Sequence, residues 1–293
     1  MLLNSKEEIE LFIKLSNALG TNKAYIQGAG GNTSIKLDNS DVIAIKASGH
    51  ELCNITATTG LSYVNYKDVV DYYSKNNPTD SELNEEVYKN SSQFNQQKPS
   101  IETLFHCLIK NKSIVHTHSV YVNVLSCAKN GYNICKDIFG SKHDFIWVPY
   151  KTPGIELASE INKELSKQNV KIIILENHGI IVAHDSMIEA IKLHDEINKV
   201  IISHFNLPDF VLNKKAFDIK YARDNILFPD QIVYTKSDAF LNTKSAQEVL
   251  NAYFYIIENI KNSKLEANFL PLQNIDIISN MDSEKHRQKL IKN

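Results

Sequence analysis

No apolar run in this chain approaches the roughly 20 residues a helix needs to cross a bilayer, so a membrane is not an expected partner. No C-x-x-C pair occurs either. The cysteines stand apart as Cys53, Cys107, Cys127 and Cys135. Unpaired, scattered thiols read as small buried apolar groups of a reduced, cytoplasmic protein. Charge of one sign is not in excess: 32 Lys and Arg face 34 Asp and Glu, a net of −2. Such a chain has no global field with which to gather nucleic acid. Any anionic ligand must be held by local donors. A Gly-Lys-[Ser/Thr] phosphate loop is missing. The turn Gln27-Gly28-Ala29-Gly30-Gly31-Asn32 lacks the third glycine of a dinucleotide fingerprint, because Thr33 stands in its place, and a strand follows it instead of a helix. At the N-terminus, acid appears before an apolar run develops (Met1 to Glu8), so a secretion signal is not expected there.

What is present is a set of histidines. His116 and His118 lie two apart in the strand-like run Ser113 to His118, and side chains two apart on a strand share a face. His178 follows a second strand-like run, Val170 to Leu175, in Glu176-Asn177-His178-Gly179. Three neutral imidazoles form a ligand set for a catalytic zinc with one position left open. Imidazole accepts several divalent ions, so manganese and cobalt stay open alongside zinc. H-x-H alone is a weak signal and more often a pair of satisfied core histidines; His178, and then Glu102, strengthen the metal reading. Glu102 lies upstream in Pro99-Ser100-Ile101-Glu102. A carboxylate beside a metal can move a proton next to a carbonyl. Alone, it reads as an acidic residue favoured by a helix N-terminus. His106, one turn further on, can orient Glu102 or pack inside. His50, His143, His184, His194, His204 and His286 lack such company and read as structural or surface residues. The glycine turn, Ser48-Gly49 and Ser100 are candidate anion donors, and each is also an ordinary turn or cap.

The 293 residues allow one large domain or two small ones. Apolar spacing predicts a helix over Ser5 to Ala18, a hairpin of Thr33 to Leu37 with Val42 to Lys46, and a helix with a loop over Leu61 to Phe94. Ser100 is expected to cap a helix carrying Ile101, Leu104, Phe105, Leu108 and Ile109, with Glu102 in its first turn. The strand of His116 follows. Further helices are expected over Val120 to Ala128, Gly154 to Lys167 and Ser186 to His204, the last with Ser186 and Glu189 as a capping box. Strands are expected at Phe145 to Val148, Lys171 to Leu175 and Ile180 to Ala183. Residues 209–293, rich in Asn, Lys and Asp, read as an extension with its own small structure and one helix over Ala246 to Ile260. This mixture predicts an α/β layered fold with a central mixed or antiparallel sheet flanked by helices. The expected division is 1–208 and 209–293. No internal repeat is found.

Four ordered segments resemble the class II aldolase/adducin family, whose familiar metal enzymes are fuculose-phosphate and rhamnulose-phosphate aldolases. Gly30-Gly31-Asn32-Thr33-Ser34 is similar to its G-G-N-x-S turn, and Ser48-Gly49 to its S-G turn. Ser100-Ile101-Glu102 with Phe105-His106 resembles its S-S-E segment. Val115-His116-Thr117-His118 and Asn177-His178-Gly179 resemble its zinc-ligand segments. Pro149-Tyr150 to Gly154 is similar to a family linker. The resemblance covers about Glu8 to Phe205. It implies zinc on His116, His118 and His178, and Glu102 as the proton shuttle beside a zinc-stabilised enediolate. It also implies a sugar phosphate held by Gly31, Asn32, Ser48, Gly49 and Ser100, and a cytoplasmic homo-oligomer, a cyclic tetramer. Two departures stand out. Ile101 replaces the second serine of S-S-E and removes a hydroxyl expected near the phosphate. The interval from Glu102 to His116 is shorter than in the fuculose-phosphate enzyme. That interval and the extension with Phe228-Pro229-Asp230 are more similar to longer rhamnulose-phosphate proteins. The resemblance favours a lyase of the aldolase type. It leaves open a sugar-phosphate 4-epimerase, a sugar-acid-phosphate decarboxylase, a thiosugar-phosphate dehydratase and a non-catalytic adducin-like scaffold.

Overall fold

The computed structural model describes residues 5–92, 97–140, 142–213 and 217–281. Helix α1 (Ser5–Thr21) precedes strands β1 (Asn32–Lys36), β2 (Val42–Lys46) and β3 (Leu61–Asn65). Helices α2 (Tyr66–Asn76), α3 (Asp80–Ser92) and α4 (Thr103–Leu108) lead to β4 (Ser113–Thr117). Then come α5 (Val120–Ser126), α6 (Gly131–Phe139), β5 (Phe145–Val148), α7 (Ile155–Leu165), β6 (Ile172–Leu175), β7 (Gly179–His184) and α8 (Met187–Phe205). The described part of the C-terminal region is helical: α9 (Ile219–Asp224), α10 (Pro229–Thr235), α11 (Lys244–Asn262) and α12 (Leu272–Asn280). None of the described helices is long and apolar enough to cross a membrane.

The strands form one sheet in the order β3-β2-β1-β4-β7-β6-β5. All neighbours run antiparallel except β5 and β6, which are parallel. This is the layered α/β fold with a mixed, largely antiparallel sheet that the sequence led us to expect. The central strands β4 and β6 are buried throughout, as expected for strands covered on both faces. Side-chain alternation along β4 divides the core. Ile114 packs with residues of α2, α3, α4 and α7, and Val115 packs with residues of α1, α5, α8, α10 and α11. The C-terminal residues Leu227, Val233, Tyr234 and Tyr253 lie in that second, larger cluster. Backbone bonds fasten the same region to the end of α5, with Asn268 N donating to Cys127 O at 2.7 Å.

Two local expectations are corrected. Leu61–Asn65 is a strand paired with β2, not part of a helix. The helical tyrosine spacing becomes real only from Tyr66, where Asn65 caps by accepting from Asp68 N. Phe94, at the end of that stretch, lies outside the described residues, as does His286. The helix expected from Ser100 begins only at Thr103. Ser100 to Glu102 form a turn in which Ser100 O accepts from Thr103 N and Ser100 Oγ accepts from Glu102 N. Glu102 is therefore the residue before the helix, with φ −89° and ψ 5°. Ile109 is already extended, because the chain must turn there to enter β4.

Gly179 opens β7 where β7 meets β4. A Cβ on it would fall 2.2 Å from the backbone oxygen of Thr117. Gly179→Ala is expected to cost about 1–3 kcal/mol through overpacking. A lowered thermal midpoint checks this, and an unchanged midpoint would mean that the two strands do not approach so closely.

Candidate active site

The sheet register assembles the histidines. β4 carries His116 and ends one residue before His118, while Thr117 pairs with Ile180 of β7. The turn between β6 and β7 therefore stands beside the end of β4 and delivers His178. That turn needs a left-handed residue, and Asn177 supplies it with φ 55°, a conformation asparagine tolerates. The three rings lie 4.9 to 5.0 Å apart, centroid to centroid. Their candidate ligand atoms fall within 4.8 Å of one another. Nε2 of His116 and Nε2 of His118 are 3.2 Å apart. Two nitrogens on a tetrahedral zinc, each about 2.0–2.1 Å from the metal, sit about 3.3–3.4 Å from each other.

Outer contacts turn two of the rings inward. Nδ1 of His116 faces Ile180 O at 3.1 Å, and Nδ1 of His118 faces the Asp230 carboxylate at 2.6 Å. An Nδ1–H donated outward leaves the Nε2 lone pair for a metal. The residues thus fit a divalent cation in donor type, spacing and ring orientation. Glu102 Oε1 completes the convergence, 3.4 Å from His178 Nε2 and 3.6 Å from His116 Nε2. It is buried with no hydrogen-bond partner among the described residues. Burial pushes the Glu102 carboxyl up, but His116, His178 and His118 outweigh this and hold it well below the usual carboxylate range. Burial lowers His178 to about 3, so its ring is neutral at ordinary pH.

A chain of polar contacts sets the other carboxylate oxygen. Asn32 Nδ2 donates to Glu102 Oε2 at 2.7 Å. The Asn32 side-chain oxygen accepts from His106 Nε2. His106 Nδ1 in turn accepts from Ser34 Oγ at 2.7 Å, and the ring stacks on Phe105. The polar order Ser34–His106–Asn32–Glu102 leaves the asparagine only one orientation, with its amino group toward the carboxylate. His106 thus orients Glu102 indirectly, through Asn32. On the opposite face of β4, Thr117 Oγ1 meets buried His194 Nε2 at 2.7 Å, which fixes the strand between the two histidines.

A narrow cleft opens above these groups. Of the residues singled out from sequence, Gly31, Asn32, Ser48, Gly49, Ser100, Glu102, His118 and His178 all line it. His116 lies beneath, fully buried. Gly31 has φ 58°, and a Cβ there would sit 2.5 Å from Ile26 Cδ1. Only glycine fits that turn without strain. Ile101 also lines the cleft, where the resemblance implies a serine. Sequence reasoning missed two wall residues. Lys46 reaches the cleft from the end of β2 and donates to Ala29 O and His50 O, both at 2.9 Å. Its position just ahead of Ser48-Gly49 was the available signal. Asp230 comes from α10, and Phe228-Pro229-Asp230 had marked the segment without marking a role.

His106 and His194 are both buried, and burial lowers both below the ordinary imidazole value. Folding disfavours their protonation, while the unfolded chain binds protons below about pH 6.5. Stability should therefore fall as pH drops through that value. Denaturant midpoints measured with a chelator at pH 7.5, 6.5 and 5.5 are expected to decrease in that order. Equal midpoints would mean that these rings are protonated in the folded state.

A family model described as Class II Aldolase and Adducin N-terminal domain matches residues 10–201. An L-fuculose phosphate aldolase of Methanococcus vannielii is 31% identical over 195 residues, covering 62% of this chain and 87% of that protein. A 3-oxo-tetronate 4-phosphate decarboxylase of Haemophilus influenzae is 26% identical over 211 residues, covering 68% of this chain and 87% of that protein. Another relative, the uncharacterized oxidoreductase YuxG of Bacillus subtilis, is 29% identical over 181 residues. That match takes in 59% of this chain but only 26% of the relative. The solved N-terminal class II aldolase domain of a Thermoplasma acidophilum protein shares the fold at TM-score 0.61 and 23% identity, over 70% of this chain and 96% of that one. With more than half of its residues matched and the same layered fold around them, the chain belongs to the class II aldolase and adducin N-terminal domain family.

Proposed function

We propose that the protein is a divalent-metal-dependent lyase of the aldolase type that acts on a sugar phosphate. The observation that carries this reading is the meeting of Glu102 Oε1 with His116 Nε2 and His178 Nε2 at the floor of the cleft. Bound by His116, His118 and His178, a divalent cation would draw electron density from a carbonyl or hydroxyl oxygen of the sugar. Zinc suits three imidazoles, and cobalt or manganese can replace it.

The remaining chemistry belongs to the chain. Glu102, whose carboxyl lies well below the usual carboxylate range, is the proton-accepting group. It takes a proton from the sugar hydroxyl on one side of the breaking C–C bond and returns it to carbon after the bond has broken. Asn32 steadies the oxygen that does not face the histidines. The phosphate is assigned to the end of the cleft formed by Gly31, Ser48, Gly49 and Ser100, where backbone donors and hydroxyls can approach an anion closely. Lys46 adds a positive charge to that wall. Ile101 makes it less polar than two serines would, which favours a phosphate seated toward Lys46.

The relative from Methanococcus vannielii is an aldolase by name, and this supports C–C cleavage with two carbonyl products. The Haemophilus influenzae decarboxylase matches a larger share of the chain. Its match favours, as a second reading, a sugar-acid phosphate that loses carbon dioxide at the same centre. Both readings need the same histidines and the same glutamate.

The test is a mass-spectrometric product screen over ketose phosphates, sugar-acid phosphates and their unphosphorylated forms, with and without a chelator. Chelator-sensitive splitting into two carbonyl fragments is the expected result. Loss of carbon dioxide would select the second reading, and no turnover together with no bound metal would sink both. His178→Ala is expected to lose metal and activity together. Glu102→Gln is expected to keep the metal and lose about 10²–10⁴-fold in turnover. Wild-type turnover in Glu102→Gln would place the proton shuttle elsewhere.

A further inference from the structure

The sheet supplies the three histidines, but it does not supply everything that orients them. Ile180 O, a backbone group of β7, holds His116. His118 lies one residue beyond β4 and is held by Asp230, 112 residues later in the chain. Asp230 sits at the second position of α10, after Pro229, and is buried. A Cβ on Gly30 would come within 2.3 Å of the Asp230 Oδ2 atom that meets His118, so the carboxylate reaches the ring only because residue 30 is glycine. Contacts from the same C-terminal region surround the site. Tyr234 Oη accepts from Ala29 N at 3.1 Å, and Glu248 accepts from Gly28 N at 2.8 Å. Leu227 O accepts from Asn177 Nδ2 at 2.8 Å, beside His178. The matched family region ends at residue 201, so every one of these contacts comes from outside it.

We propose that Asp230 is a positioning residue for metal binding, holding His118 with Nδ1–H outward and Nε2 toward His116 and His178. On this view the segment Pro229–Thr235 completes the metal centre of the preceding domain. The proposal rests on the reading of the three histidines as metal ligands. A neutral imidazole exists as two tautomers, and only one offers Nε2 as a ligand. A carboxylate on Nδ1 selects that tautomer, fixes the ring about its long axis and makes Nε2 a stronger donor. The sheet cannot do this for His118, because strand pairing has ended at Thr117.

The test is a zinc titration of the chelator-stripped protein, read by competition with a chromophoric chelator, together with the visible spectrum of the cobalt form. Asp230→Ala is expected to bind zinc about 10–100-fold more weakly, with an altered cobalt spectrum. Asp230→Asn keeps an acceptor oxygen but loses the charge. It is expected to weaken zinc binding by about 10-fold, and it carries the test if the alanine variant does not fold. Val249→Ala opens a space in the buried face of α11 without touching the site. It should lower the thermal midpoint and leave zinc affinity unchanged. Wild-type zinc affinity in a folded Asp230 variant would overturn the proposal. So would a loss in Val249→Ala equal to that in Asp230→Ala, since general loosening would then explain both. Failure of the wild-type protein to bind zinc, cobalt or manganese would instead overturn the metal reading, and the role of Asp230 with it.

Discussion

An ionised carboxylate is costly to bury, by several kcal/mol even after relaxation, and the surroundings of Glu102 are organised by that cost. One oxygen takes a hydrogen bond from Asn32 and the other faces His116 and His178. Each partner is itself held. Asn32 is oriented by His106, His106 by Ser34, and His116 by a carbonyl of β7. A hydrogen-bonded order of this kind admits one arrangement of donors and acceptors, and half-satisfied alternatives inside a dry core are expensive. The strand β1, the turn before α4, the strand β4 and the β6–β7 turn therefore have to meet in one register.

The sheet makes that register rigid. β4 lies at its centre with both faces covered, and a slip of one residue would exchange His116 for Thr117 on the site face. The opposite face guards against this, because Thr117 is bonded to His194 of α8 and Val115 is packed in the larger core. The glycine turn ahead of β1 is bounded in the same way. Gly31 has room for no side chain against Ile26 and His116 O. The cleft that results is polar at its floor and cationic at one wall through Lys46. This suits the lyase reading proposed above.

Most of the site was legible because its pieces are local. The two-residue spacing of His116 and His118 declares a shared face on any strand. Asn177-His178-Gly179 declares a turn at a strand end. Glu102 was visible beside Ser100, although its helix starts two residues later than expected. That error has a physical source. Ile101 and Ile109 match the helical period, but the first is drawn into the cleft wall and the second into the turn toward β4. Leu61–Asn65 was misread for a related reason. Alternating Tyr63 and Val64 suit an edge strand, and only the pairing with β2 separates that from the helical pattern beginning at Tyr66.

By itself the sequence determined the layered α/β class, most of the sheet strands and longer helices, and the candidate groups proposed to bind a metal and move a proton. Those properties follow from periodicity, turn chemistry and side-chain type, which act over a few residues. Tertiary structure alone decided that His106 speaks to Glu102 through Asn32, that Lys46 stands in the cleft wall, and that Asp230 reaches His118. It also decided that residues far beyond the matched domain lie against the glycine turn and the His178 turn. The longest of those relations spans 220 positions of chain. No local propensity encodes such a distance. It is set by which faces of the sheet must be covered, and by what is left to bond with the groups that covering buries.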